Sequence, residues 1–490
     1  MSIPCSPAPN LFSDTSQPPA PPARLFARLN PGVTLEPNAT GGLSAVFDGR
    51  TVEFGTFGAD VAGRAAEFET GVAFDGERDG EIRELVRRLA LYGLLEYRLA
   101  RAPSGPDLIV IEPQMRDYAP RLVAVDEDRA VALSRFAYIR RRGADMVLES
   151  PRACALFRLC DPSVAAMIAH LSEARTVREL RNSPNFPGVE LLALLLDGEI
   201  LFTPDPDGDT ALRAAEGDDD LILWDFHDLL FHARSTNGRH ANPSGGIYAH
   251  AHLAALPPAI RPSWPGPAID LKTLDAAPPS AFAALLRRRR STRIFDEQRP
   301  ITLAEVARLL DGAARIISRE RKTDEDEDES LEVAPRPYPS GGASYELELY
   351  LAVDRCEGLA RGFYHYDASR RALVLIETNA HWLTAMLEDA QFAMGAPAVP
   401  QILITMSARF SRVSWKYSGF AYALVLKHVG VLMQTLYLMA AEMEIGACAI
   451  GVGDIDLFAK MTGLAFHVEG SVGQIAIGRG VQSDSTPVTD

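Results

Sequence analysis

Arg289-Arg290-Ser291-Thr292-Arg293 follows a stretch, residues 279–288, whose apolar spacing predicts a helix. Three arginines and a hydroxyl within five residues make a set of planar forks able to clamp a phosphate. Alone, the run could equally be a solvated basic helix end, since Arg287 and Arg288 continue it. Its meaning depends on what stands downstream. Pro337-Tyr338-Pro339-Ser340-Gly341-Gly342-Ala343-Ser344 has two prolines that set its entry. Its two glycines permit close backbone approach to a flat ring or a phosphate. No Gly-Lys-Ser/Thr follows, which excludes a Walker A loop. Gly446-Ala447-Cys448-Ala449-Ile450-Gly451-Val452-Gly453 comes after a long apolar helix over 420–443, with Gly446 as its terminator. This turn lacks the third glycine and, on the sequence reading, the preceding strand of a dinucleotide fingerprint, so a Rossmann reading is rejected.

Around these motifs the pattern is α+β. Helices are expected over 303–314, 381–394 and 420–443, strands over 347–353 and 362–366, and a glycine-bounded last strand over 474–478. The N-terminal half reads as two editions of one small unit, spaced by about 105 residues. In each, strand-like runs (43–57 and 146–156) precede a helix that stops at a glycine, Gly93 or Gly198, before an apolar strand. Tandem winged-helix-like modules are expected. The divisions are a Pro-rich disordered N-terminus (1–24), a first module (25–125), a second module (126–206), a bridging segment (207–277), a catalytic domain (278–482) and a disordered tail (483–490). The proline-dense 257–267 reads as an extended linker wrapped on a surface.

Composition removes several function classes. The chain has 490 residues and a net charge of −16, which argues against a nucleic-acid footprint and favours a soluble cytoplasmic protein. The five cysteines are scattered, with no C-x-x-C pair, so neither a disulfide framework nor a zinc module is supported. Phe420–Met443 is interrupted by Lys427, His428, Gln434 and Glu442, as a buried core helix would be. Asp324–Glu329 is wholly acidic and reads as a solvated insertion rather than a metal site. His227 and His232, five apart, suit capping or packing, and His250-x-His252 has no third ligand; no metal is expected. Cys448 reads as a small packing residue.

Taken in order, the helix, arginine run, Pro-Ser-Gly-Gly loop, long apolar helix, Gly-rich turn and terminal Ile-Gly-Arg resemble the flavin-binding nitroreductase superfamily. Three further strings resemble the SagB/McbC-type azoline dehydrogenases: residues 141–151, Phe226-His227-Asp228-Leu229-Leu230-Phe231-His232-Ala233-Arg234-Ser235, and Lys416-Tyr417. The resemblance implies a nitroreductase-like C-terminal fold, an antiparallel-dominated central sheet with surrounding helices. It also implies FMN as cofactor, with Arg289, Arg290, Ser291 and Arg293 on the phosphate and Arg479 closing from the C-terminus. Pro339, Ser340, Gly341 and Gly342 would line the isoalloxazine ring, Gly451 would face its other edge, and Gln434 would touch flavin or partner subunit. A homodimer is implied, as are an azoline-containing precursor peptide as substrate and a cyclodehydratase as a possible partner.

Lys416-Tyr417 is the pair that such azoline oxidases use for chemistry. Aromatising a thiazoline removes a hydride and a proton. Tyrosine, near pKa 10, is a poor base unless a cation steadies its phenolate, and an adjacent ammonium can do that. Tyr417 is read as the base and Lys416 as its tuner, with the exchanged roles left open. The sequence contains only five lysines, so Lys416 is harder to dismiss as surface decoration. Two other readings stand beside this one: an NAD(P)H-dependent flavin reductase of small molecules, and a non-catalytic scaffold subunit of a peptide-modifying complex.

Overall fold

The computed structural model describes residues 21–38, 42–47, 49–74, 80–116, 118–183, 186–205, 213–241, 245–246, 248–274, 280–323 and 330–481. The disorder expected at the two chain ends falls almost wholly outside the described residues, and the acidic run Asp324–Glu329 falls entirely outside them. The chain divides into two compact units. One holds the residues up to Ile222 together with Arg239–Ala241, and the other holds Leu223–Gly238 and the chain from Asn242.

The first unit opens with β1 (Arg24–Leu29) and an antiparallel set of β2 (Thr34–Pro37), β3 (Gly42–Phe47) and β4 (Arg50–Thr56). The short helices α1 (Ala59–Gly63) and α2 (Glu67–Thr70), β5 (Val72–Ala73), α3 (Gly80–Leu91), β6 (Leu95–Ala100) and β7 (Asp107–Pro113) follow. The plan then recurs. β8 (Ala130–Leu133) leads to β9 (Tyr138–Arg142), β10 (Asp145–Glu149) and β11 (Ala155–Leu159). Next come α4 (Pro162–His170), β12 (Arg175–Thr176), α5 (Val177–Arg181), α6 (Val189–Asp197) and β13 (Leu201–Phe202). The order β5-β1-β6 in the first copy is matched by β12-β8-β13 in the second.

The two marker glycines serve different ends. Gly93 sits in the left-handed region at φ 65°, whereas Gly198 is needed for space, because a Cβ there would stand 2.5 Å from the Phe157 ring.

The copies are not separate bodies. β7 pairs with β6 on one edge and β11 on the other, so one sheet runs β5-β1-β6-β7-β11-β10-β9 through both. Leu108, Ile109, Val110 and Ile111 of β7 are all buried, and such a strand is not left as an exposed edge. Leu89 and Tyr97 of the first copy share a core with Phe157 and Leu192 of the second.

The second unit is built on an antiparallel sheet ordered β18-β17-β16-β19-β21-β20. α7 (Phe226–Arg234), α8 (Ala281–Arg288), α9 (Leu303–Ala314) and the hairpin β14 (Glu320–Thr323)–β15 (Ser330–Val333) precede it. The rest comprises β16 (Leu347–Val353), β17 (Gly362–Asp367), β18 (Ala372–Ile376), α10 (Ala380–Met394), β19 (Ile402–Arg409), α11 (Ser411–Ser414), α12 (Ala421–Glu442), β20 (Gly446–Ile450), α13 (Ile455–Thr462) and β21 (Glu469–Gly478). Tyr350, Ala352, Leu403 and Ala476 pack with α10 and α13. The alternate residues Leu349, Leu351, Ile402 and Ile404 are buried too, so the sheet is covered on both faces. α12 is long and apolar enough to cross a membrane by length and composition, and it packs on α9, β20 and β21.

Three features bear on the sequence expectations. The unit carrying the site motifs begins at Leu223, well before residue 278, because α7 packs on α12. The proline-dense connection, read as wrapped on a surface, is exposed over residues 248–272, Leu256 at 94% and Trp264 at 76%. A strand, β20, does precede Gly451, but it is antiparallel to β21, so no βαβ crossover forms and the rejection of a Rossmann reading stands on topology.

Candidate functional site

The arginine run starts where α8 ends. Ser280 caps that helix by accepting the Ala283 N–H, and none of the helix's residues is buried. The chain then turns along the sheet end. Thr292 N–H donates to Ala447 O at 2.7 Å, and Asp296 N–H donates to Arg479 O at 2.8 Å. The Arg289 guanidinium lies over the Tyr437 ring, 5.1 Å from its centre. Ser291 Oγ hydrogen-bonds Tyr437 Oη at 2.9 Å, and the same Oη accepts Ala449 N–H at 2.6 Å. Arg289–Arg293, Gly446–Ala449 and Arg479–Gly480 therefore converge, with Arg290, Ser291 and Arg293 exposed. Such a cluster can hold a phosphate.

Arg479, expected to close on the phosphate, is bound by a carboxylate in this structure. Its Nη2 donates to both carboxylate oxygens of Glu305 at 2.8 Å, so it is committed to an ion pair. Burial works to raise the Glu305 pKa. The Thr302 N–H, the Arg479 guanidinium and the Thr302 hydroxyl outweigh it and hold the carboxyl below its ordinary value. Cys448 is buried, and burial raises its thiol pKa, as suits a packing residue.

The Pro339–Gly342 loop is drawn taut. Gly342, Ala343 and Tyr345 all have positive φ, at 61°, 56° and 44°. Tyr345 N–H donates to Ser340 Oγ, Ser344 Oγ–H donates to Gly341 O, and the Arg412 guanidinium donates to Ser344 O. From α12, His428 Nε2 accepts Gly341 N–H at 2.7 Å, and its Nδ1 lies 2.7 Å from Glu346 Oε1. Tyr417 closes the other side. A Cβ at Gly342 would stand 2.5 Å from its Oη, so the phenol lies directly on the glycine backbone.

Lys416 and Tyr417 follow α11, and both N–H groups donate to Val413 O. Lys416 is exposed, with Nζ 5.9 Å from the Tyr417 ring centre, and Tyr417 is half-buried. α7 holds the loop that follows. Asp225 Oδ2 accepts Gly419 N–H at 2.7 Å and Ser418 Oγ–H at 3.3 Å. Asp228 Oδ2 accepts Tyr422 N–H at 3.2 Å, and His227 Nε2 stands 3.0 Å from Gly419 O. Burial raises the Asp228 pKa, against the Tyr422 N–H bond. His232 is fully buried among Trp224, Phe410, Tyr422 and Phe466, the packing role read from its spacing.

The residues after α7 also reach Gly451's turn: Asn237 N–H donates to Gly453 O, and Ile455 N–H donates to Asn237 O. Gly451 is exposed beyond β20, and Gln434 is exposed on α12. Among the described residues no cluster suits a metal ion. Sequence reasoning missed Asp225, Asp228, Glu346 and His428 as site-building residues. The only signal was a histidine interrupting an apolar helix.

Two family models match different stretches of the chain. Residues 286–479 match the nitroreductase family model, and residues 131–241 match the model of the cyanobactin oxidase ThcOx. A Methanocaldococcus jannaschii protein named as a nitroreductase, MJ1384, is 30% identical over 169 residues, covering 34% of this chain and 76% of that protein. Among solved structures, the E. coli microcin synthetase McbBCD complex with truncated pro-MccB17 bound is 18% identical. It covers 54% of this chain and 97% of that chain, at a TM-score of 0.38. A nitroreductase-named protein from Ralstonia eutropha JMP134 is 18% identical over 46% of this chain and 98% of that one, at a TM-score of 0.30. With three quarters of the archaeal relative matched at 30% identity, and the family model matched over residues 286–479, the chain belongs to the nitroreductase family of oxidoreductases.

Proposed function

We propose that this protein is an FMN-dependent azoline oxidase. It converts thiazolines or oxazolines of a ribosomally made precursor peptide into thiazoles or oxazoles, with oxygen reoxidising the flavin. The observation that carries the reading is Tyr417, its phenol on Gly342 and the Lys416 ammonium beside its ring. The cyanobactin-oxidase match over 131–241 supports a peptide substrate.

The residues fit FMN. Arg289, Arg290, Ser291 and Arg293 offer charged and hydroxyl donors to a phosphate. The Pro339–Gly342 loop would line the ring, with the Tyr417 phenol and His428 packed against its two glycines. Tyr437 anchors the arginine end of the site and His428 the glycine loop, nine residues apart on α12. At 1.5 Å per residue that is about 14 Å, a span that a ring with its ribityl phosphate can bridge. When bound, FMN supplies the acceptor for the hydride leaving the azoline. Tyr417 takes the proton from the neighbouring carbon, and Lys416 steadies the phenolate. Asp225, His227 and Asp228 keep the loop after Tyr417 in place.

The same reading takes a homodimer, supported by the exposed Phe282, Leu286, Ile294 and Phe420. It also takes a cytoplasmic location, with the winged-helix-like N-terminal copies gripping a leader peptide or docking a cyclodehydratase.

The test is anaerobic. An azoline peptide should bleach the flavin of the purified protein, and oxygen should restore it. Tyr417→Phe should keep FMN and lose the reaction. If NAD(P)H bleaches it rapidly and the azoline peptide does not, the protein is a small-molecule reductase. If no flavin is held at all, the scaffold reading replaces both.

A further inference from the structure

His428 is 5% exposed, and Glu346, just before β16, is fully buried. A buried carboxylate and imidazole in contact need a reason, because each has left water. The hydrogen bonds supply one. A backbone N–H can only donate, so His428 Nε2 is the acceptor for Gly341, and the ring proton is assigned to Nδ1, facing Glu346 Oε1. The carboxylate thus fixes the tautomer that presents a lone pair to the loop, as second partners do for metal-bound histidines. Ser340 Oγ, 3.4 Å from Glu346 Oε2, ties the same carboxylate to the loop's start.

The loop needs such an anchor. Two of its non-glycine residues, Ala343 and Tyr345, sit in the left-handed region, which is held only where surroundings over-determine it. Tyr417 lies on the very next residue, Gly342. His428 and Tyr417 therefore grip adjacent peptide units, one from inside α12 and one from the loop before it.

We propose that Glu346 and His428 form a positioning couple that sets the Gly341–Gly342 backbone, and through it the seat of Tyr417. Neither side chain is assigned a contact with substrate. The part that concerns flavin rests on the function proposed above; the part that concerns the loop does not.

Two substitutions of similar polarity separate the bonds. His428→Gln can put an amide oxygen where Nε2 stands, keeping the Gly341 bond. His428→Asn reaches only the Nδ1 position, keeping the Glu346 contact and losing Gly341. Amide hydrogen exchange is followed over residues 340–346 in protein stripped of flavin, alongside FMN titration of the same samples. The asparagine variant should exchange the Gly341 amide at least tenfold faster than wild type, with the C-terminal half of α12 unchanged. The glutamine variant should stay within about threefold. In the titration the asparagine variant should bind FMN more weakly and the glutamine variant should not. Equal exchange in the two variants, or faster exchange in the glutamine one, overturns the couple. Loop exchange that follows the proposal in a protein that binds no FMN under any condition upholds the couple and removes the flavin reading instead.

Discussion

Asp225 occupies the N-cap position of α7 without a side-chain capping bond; its carboxylate accepts the amide of Gly419, two residues beyond Tyr417, at 2.7 Å. A residue type that normally serves its own helix is here spent on a loop distant in sequence. Asp225→Ala should lower azoline turnover about tenfold, the equivalent of about 1.4 kcal/mol, with FMN affinity unchanged. Asp225→Asn, which keeps an acceptor oxygen, should fall between. Steady-state turnover with a parallel flavin titration distinguishes the two effects.

Gly342→Ala tests the seat of Tyr417 from below. The added methyl would stand 2.5 Å from the phenol oxygen, at a backbone φ of 61° that alanine adopts at a cost. Turnover should drop by about 100-fold, in the range for a displaced general base. Wild-type turnover in this variant would mean that the phenol position does not matter.

Arg289 and Arg479 should behave differently although both were expected at the phosphate. Arg289→Ala should weaken FMN binding roughly 10- to 100-fold, as loss of a charged hydrogen bond does. Arg479 is paired with Glu305, so Arg479→Ala should change FMN affinity by less than about threefold and lower the melting temperature instead. Flavin fluorescence titration and thermal unfolding of the two variants give the comparison.

Glu305 makes that pairing pH-dependent. Its folded pKa is depressed, so its contribution to stability is present above the unfolded value, about 4.3, and is lost as pH falls through the lower folded value. Glu305→Gln should flatten that acid limb. Melting temperatures of wild type and variant, measured from pH 7 downward, should converge at the acid end and diverge toward neutrality.

Much of the second unit was legible in the sequence. Thr302 and Glu305 form a reciprocal capping box at the predicted start of α9, and Leu347–Val353 is the strand expected from its apolar run. The arginine cluster and the glycine loop were readable because each is a local string. What escaped was non-local. α7 lies upstream of an exposed extended connection, so nothing in residues 226–235 says that they will bind Gly419 and Tyr422. Glu346 and His428 are one residue each, 82 positions apart, and neither is unusual until the fold joins them. Arg479 sat in a family-like string, and only the fold shows its pairing with Glu305 of α9.

The strand pair β7–β11 ties the two similarly ordered halves of the first unit into one object. Had the two copies touched only through side chains, either could be deleted, exchanged or allowed to decay while the other kept its shape. Joined through backbone hydrogen bonds and one core, they should melt in a single transition. Removing the first copy would bare the β11 edge and invite aggregation. Substitutions in one half should therefore be tolerated or rejected by the stability of both.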